Sequence, residues 1–256
     1  MTKRQKFVIS SLLLTLGFLL LQFFVDSFRY QVITLLTLVS GLLAFWSFRD
    51  GLGRNATLLS LVLPMQFSLG VGLFYFLLPA SWLSAVPVLI LYAIGIYALF
   101  LTSNIYTVAA ARTIALLRAA HAVGFLLTLL TAFLLLDTLF SLKLGFLVNA
   151  IGSGVIVFPL LAQGFWSIDL EHKLNADVLK PALAGAVITM QVAAILSFWP
   201  ISVPVAALTL TTVSYVVLGL GQAKIQQRLF ARTVREYFLV GAVVFLTMFL
   251  TARWSG

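Results

Sequence analysis

Long apolar stretches recur through this chain of 256 residues, and they constrain its fold more than any other feature. A run of about 20 apolar residues is long enough to cross a hydrocarbon core of roughly 30 Å as a helix. Lipid offers no partner for exposed backbone groups, so membrane-crossing segments must form helices or closed barrels. Barrel strands would alternate between apolar and polar residues, and these runs do not alternate. The sequence therefore predicts an all-α, polytopic transmembrane bundle.

The predicted membrane spans are separated by short segments that carry charged residues, glycine or proline. They cover residues 7–25, 32–48, 57–78, 88–102, 122–142, 146–166, 182–199, 205–221 and 237–252. The first run is longer than a signal-peptide core and no small-residue cleavage pattern follows it, so we expect an uncleaved helix. We expect residues 1–256 to form a single integral membrane domain with no soluble domain.

The composition supports this class of protein and excludes several chemistries. Hydrophobic residues make up 62% of the chain and charged residues 9%, whereas a soluble domain has roughly 25% charged residues. There are no cysteines, so disulfides, thiolate nucleophiles and cysteine-ligated metals are excluded. The net charge is +9, and the basic residues that produce it lie between the apolar runs, as is typical of membrane proteins. We therefore expect no nucleic-acid partner.

The basic residues predict the orientation of the spans. With nine spans, thirteen of the sixteen lysines and arginines fall on one set of alternating loops and three on the other. The minority set is Arg29, Lys143 and Arg253. Because lysine and arginine are retained on the cytoplasmic side, the N-terminus is predicted to be cytoplasmic and the C-terminus external. The expected location is the plasma membrane of a prokaryote.

A basic stripe is predicted just before the ninth span. The segment 222–236 has no glycine or proline and is expected to be an amphipathic helix that runs into that span. Its basic residues, spaced for one helical face, are Lys224, Arg228, Arg232 and Arg235.

Two interpretations of this stripe remain open. It can anchor the protein at an anionic cytoplasmic leaflet, at about 1 kcal/mol per basic residue, or contact an acidic partner or phosphorylated lipid head group. Arg112 and Arg118, before the fifth span, offer a second basic site for the same contacts. Glu236 lies four residues after Arg232 and can pair with it.

The polar loop 167–181 is the segment in which acidic residues and a histidine come closest in sequence. Asp169, His172 and Asp177 could in principle support metal binding or acid–base chemistry. The spacing of acidic and basic residues is more typical of a solvated helix with salt bridges. We therefore expect no metal and no cofactor.

Within the spans, the polar residues are mostly uncharged. Gln66, Asn149, Ser153 and Gln191 are candidates for a polar pocket between the third, sixth, seventh and eighth spans. Helix-to-helix hydrogen bonding is the favoured role for each, and a pocket is the alternative. Asp137, near the outer end of the fifth span, is the acidic residue inside an apolar run.

These patterns favour a non-enzymatic membrane component, either an assembly partner or a carrier or lipid-handling protein for weakly polar substrates. The alternative is a membrane-embedded enzyme acting on lipid-linked, phosphate-bearing substrates through its cytoplasmic face. An ion-coupled transporter is disfavoured because no ionisable residue is predicted near the midplane. The expected partners are a bilayer with an anionic cytoplasmic leaflet and, as a candidate, another membrane protein.

Overall fold

A computed structural model describes residues 3–21, 28–48, 54–79, 81–109, 115–170 and 175–252. Within these ranges the regular secondary structure is all helical, with nine helices and no strand. The helices are α1 (Lys3–Leu21), α2 (Arg29–Phe48), α3 (Arg54–Tyr75), α4 (Trp82–Ala109), α5 (Leu117–Ser141), α6 (Phe146–Asp169), α7 (Ala176–Leu196), α8 (Val203–Ile225) and α9 (Ala231–Thr251). Among the described residues, nine helices are long and apolar enough to cross a membrane. The all-helical class and the nine apolar helices are confirmed.

The predicted bounds of the fourth span were wrong. It was expected at residues 88–102, but α4 begins at Trp82, continues through Pro87 and ends at Ala109. Proline removes one backbone donor, yet the helix pairs the other backbone groups that an irregular turn would leave unsatisfied. A helix is therefore the better solution here.

The structure divides into two compact units. Unit 1 contains the described residues up to Thr131, together with Leu170; unit 2 contains the described residues from Ala132 to Asp169 and from 175 onwards. Unit 1 thus holds α1–α4 and the first part of α5, and unit 2 holds the rest of α5 and α6–α9.

Aromatic side chains fill the core of unit 1. The ring of Tyr92 stacks on Phe18 and on Phe67, with centroids 4.8 and 5.9 Å apart. Its hydroxyl shares a 2.9 Å hydrogen bond with the hydroxyl of Ser68, so a buried polar group is satisfied between α3 and α4. In α2, the Ser40 hydroxyl donates to the Pro64 carbonyl of α3 at 3.0 Å.

Small residues bring helices close together in unit 2, where α6 and α7 form the most extensive helix pair. A Cβ on Gly154 of α6 would lie 3.7 Å from the Ala186 carbonyl oxygen of α7. Ala150 and Ala182 are also buried. Close approach at small residues is the contact expected between helices in lipid.

Gly185 provides a test of this packing. An alanine Cβ at Gly185 would lie 2.5 Å from Val217 Cγ1 and 2.6 Å from Leu161 Cδ1, whereas at Gly241 it would meet Val216 Cγ2 at 3.5 Å. We expect Gly185→Ala to lower the free energy of unfolding by about 1–3 kcal/mol through overpacking. Gly241→Ala is the matched control and should leave it unchanged or slightly higher. Thermal unfolding in detergent measures both, and equal shifts in Tm would contradict the packing described.

Candidate functional site

The basic residues around the ninth span are divided between two helices and a turn. Lys224 lies in the last turn of α8, Arg228 lies between the helices, and Arg232 and Arg235 lie near the start of α9. The prediction of one continuous amphipathic helix over 222–236 was therefore wrong. The prediction that these residues contact anionic lipid or a partner does not depend on a continuous helix and stays a prediction.

A hydrogen-bonded helix cap ends α8 without glycine or proline. Gln227 has φ 56°, in the left-handed region, and its backbone N–H donates to the Lys224 carbonyl at 3.0 Å. The Arg228 N–H donates to the Ala223 carbonyl at 2.8 Å. These two bonds are the pattern of a Schellman motif, which satisfies carbonyls that the helix end leaves open. The chain can therefore reverse here and return as α9.

All four basic side chains are exposed, but one is already paired. The Arg232 Nε donates to Glu236 Oε1 at 2.9 Å, which confirms the predicted i, i+4 pair. Arg118, in α5, is exposed as well. Arg112 lies outside the described residues.

The polar loop forms the connection between α6 and α7. Asp169 is the exposed last residue of α6, and Asp177 lies exposed in the first turn of α7, where Asn175 Nδ2 lies 3.4 Å from its Oδ2. His172 lies outside the described residues. In the part of the chain that the structure describes, no three His, Cys, Asp or Glu side chains form a group suited to a metal ion.

The four candidate pocket residues occupy different environments. Ser153 is fully buried and donates to the Asn149 carbonyl at 2.7 Å. Asn149 is buried, and its Nδ2 donates to the Ser197 hydroxyl at 3.1 Å, which links α6 to α7. Gln191 is exposed on α7, and Gln66 is half-buried in α3 of unit 1. Ser153 and Asn149 therefore share a buried face of α6, whereas Gln191 lies on the surface of the same unit.

An apolar groove runs between α7, α8 and α9 in unit 2. Its volume is about 610 Å³, which falls within the roughly 300–1,000 Å³ typical of ligand pockets. Its walls include Ile188 and Ile195 of α7, Val217 and Leu220 of α8, and Phe238 and Phe245 of α9. We call this cavity the α7–α9 groove.

The groove is apolar even where polar residues line it. Thr209 and Thr212 belong to its α8 wall, but each hydroxyl donates to a carbonyl of the preceding turn at 2.8 Å. Trp199, at the end opposite the α8–α9 connection, packs edge-on against Phe245 with centroids 6.4 Å apart. The groove therefore presents hydrocarbon and ring surfaces to whatever occupies it.

Sequence reasoning missed this groove because its walls are ordinary apolar residues of membrane helices. What creates it is the contact of α9, which packs mainly against α8. A Cβ on Gly219 would overlap the edge of the Tyr237 ring, so α9 packs closely on α8 at this point. The glycine on α8 opposite an aromatic residue on α9 is a signal for this contact, but it does not reveal the space beside it.

The described residues thus define an all-helical, apolar bundle compatible with a multi-pass membrane protein. The chain belongs to a family of proteins of unknown function, DUF5656, which it matches over residues 13–251. No curated protein and no solved structure matches it significantly. The family match includes the helices that form the groove.

Gln227 provides a test of the cap that ends α8. A non-glycine residue in the left-handed region is disfavoured, at roughly 1–2 kcal/mol for each such residue. We expect Gln227→Gly to raise the free energy of unfolding by about 0.5–1 kcal/mol, since glycine has no Cβ penalty there. Gln226, with φ −74°, is the matched control, and glycine should destabilise it. Thermal unfolding in detergent measures both, and a lower Tm for Gln227→Gly would contradict the assigned cap.

Proposed function

We propose that this protein is a non-enzymatic, lipid-handling component of a prokaryotic plasma membrane, which holds a lipid hydrocarbon chain in the α7–α9 groove. The observation that carries the proposal is the cavity of about 610 Å³ with apolar walls on three helices. Because its threonines direct their hydroxyls to helix carbonyls, the cavity suits a hydrocarbon chain better than a polar solute.

The dimensions of the groove support a chain-like ligand. On α8 the lining residues extend from Thr209 to Leu220. At about 1.5 Å per residue, this stretch corresponds to roughly 16 Å along the helix. The groove is therefore elongated along α8, as a hydrocarbon chain aligned with the membrane normal requires.

The physical gain on binding differs from that in water. A lipid chain leaves one apolar environment for another when it moves from bilayer to groove, so the hydrophobic effect contributes little. Contacts with a defined wall, such as the rings of Phe238 and Phe245, must supply the preference instead. Filling the groove with protein atoms is therefore the direct test.

Ala242 and Val243 provide a matched pair of positions for this test. Both residues are exposed, but Ala242 lines the groove and the neighbouring Val243 does not. We expect Ala242→Phe to reduce the lipid that remains bound after purification in detergent by at least half, while Val243→Phe leaves it unchanged. Native mass spectrometry of the purified protein counts the bound lipids. Equal retention by the two variants would contradict lipid binding in the groove.

The proposed orientation places the α8–α9 connection on the cytoplasmic side and Lys143 on the external side. Thirteen basic residues against three on the alternating loops support it. The natural chain contains no cysteine, so single cysteines report without background.

We expect a cysteine at Lys143 to react with a membrane-impermeant maleimide in intact cells. A cysteine at Arg228 should react only after the membrane is permeabilised. Both positions lie at helix ends between spans, so their reactivity reports the side of the membrane rather than burial. Labelling of Arg228→Cys but not Lys143→Cys in intact cells would reverse the proposed topology.

A further inference from the structure

We infer that the lipid held in the α7–α9 groove carries an anionic head group, and that Lys224 and Arg235 recognise its phosphate. This inference rests on the proposed function, because it assigns a head-group site to the same ligand. The observation behind it is that the rows of residues lining the groove continue, on two helices, into exposed cationic side chains.

On α8, the row ends in Lys224. Val213, Val217 and Leu220 line the groove, and Lys224 follows them at the i+4, i+7 and i+11 spacing of one helical face. Leu220 and Lys224 are one turn apart, about 6 Å along the helix. The cationic group therefore lies just beyond the apolar wall.

On α9, the row begins at Arg235. Phe238, Ala242 and Phe245 line the groove and follow Arg235 at i+3, i+7 and i+10, again on one side of the helix. Arg235 is exposed, and Phe238 lies about 4.5 Å further along the axis. One cation from each helix thus stands at the same end of the groove.

Arg232 differs from Arg235 in both respects that matter. It pairs with Glu236 at 2.9 Å, so its charge is already partly compensated. Of the residues that continue its own face, Leu239 and Val243 do not line the groove and only Ala242, at i+10, does, whereas Phe238, Ala242 and Phe245 all line it on the side of Arg235. The structure therefore distinguishes Arg235 from Arg232, three residues away. A general attraction between basic residues and anionic lipid would treat the two arginines alike.

The chemistry of the two cations suits a phosphodiester. Arginine offers a planar fork of donors that matches phosphate oxygens, and lysine offers a compact charge with rotatable donors. Since the groove walls alone provide little preference among lipids with similar chains, the head group decides which lipid is held. Under the proposed orientation, this end of the groove faces the cytoplasmic leaflet, whose anionic lipids attract basic residues.

The experiment equilibrates the full-length purified protein with detergent micelles containing equal amounts of phosphatidylglycerol and phosphatidylcholine with identical chains. After detergent washing, the ratio of the two bound lipids is measured by mass spectrometry. We expect the wild type to retain phosphatidylglycerol preferentially, because both lipids carry the phosphodiester but the choline cation of phosphatidylcholine would lie beside Lys224 and Arg235. Lys224→Gln and Arg235→Gln should each lower the ratio about fivefold, as expected for one basic residue near an anionic head group.

Arg232→Gln is the matched control, because it removes the same charge from the same exposed helix end. We expect this variant to keep the wild-type ratio of bound lipids within about twofold. The comparison of this small change with the fivefold loss in the other two variants decides the test. An equal loss in Arg232→Gln and Arg235→Gln would overturn the inference, since the protein would then respond only to net charge. Because all three side chains are exposed, we expect the Tm to be similar among these variants.

The two proposals fail in different ways. If the wild type binds both lipids equally, the proposed head-group site is wrong. The proposal of lipid handling is then tested only by the comparison of Ala242→Phe with Val243→Phe. If those two variants retain equal amounts of lipid, the proposed function fails, and the head-group inference fails with it. A lowered total with an unchanged lipid ratio in Ala242→Phe supports both.

Discussion

The fold depends on the requirement that backbone hydrogen bonds be satisfied in a solvent that offers none. In lipid, each unpaired backbone group costs several kcal/mol, so the chain remains helical wherever it can. Pro87 shows how strong this requirement is, because α4 continues through it. At the end of α8 the chain reverses in few residues, and a hydrogen-bonded cap still provides donors for the carbonyls of Ala223 and Lys224.

The sequence was sufficient to predict how many helices form but not where each one ends. Hydropathy over about 20 residues indicates a span directly. The helix end near Ile225 was missed because the prediction relied on glycine and proline, and neither occurs between Gln222 and Glu236. The left-handed residues that follow α5, α6 and α8 are Lys143, Leu170 and Gln227, and none is a residue type that marks such a position. Residue type alone therefore did not indicate these helix ends.

Packing faces were also beyond sequence reasoning, for a reason particular to membranes. In a water-soluble protein, leucines on the core face and polar residues on the outer face of a helix give a hydrophobic period of about 3.6 residues, which the sequence reveals. Here Leu126 of α5 is 65% exposed and Leu136 of the same helix is fully buried, although lipid and core favour the same side chain. The basic residues of the candidate head-group site were predicted, but the selection of Lys224 and Arg235 from among them was not. The spacing predicted the pair of Arg232 with Glu236, but only the structure shows that the residues following Arg235 on its side of α9 line a groove.

The position of α9 has a consequence for how the protein responds to its surroundings. Within this helix Met248 is the one buried residue, and α9 packs mainly against α8. An element with so few buried contacts belongs to the low-stability part of a fold, where local opening costs least. A lipid hydrocarbon chain bound in the α7–α9 groove would give α9 a second contact surface. A ligand that binds only when α9 is packed on α8 stabilises that packed arrangement by mass action. The lipid composition of the membrane would then act as an effector, setting how often this helix separates from its unit.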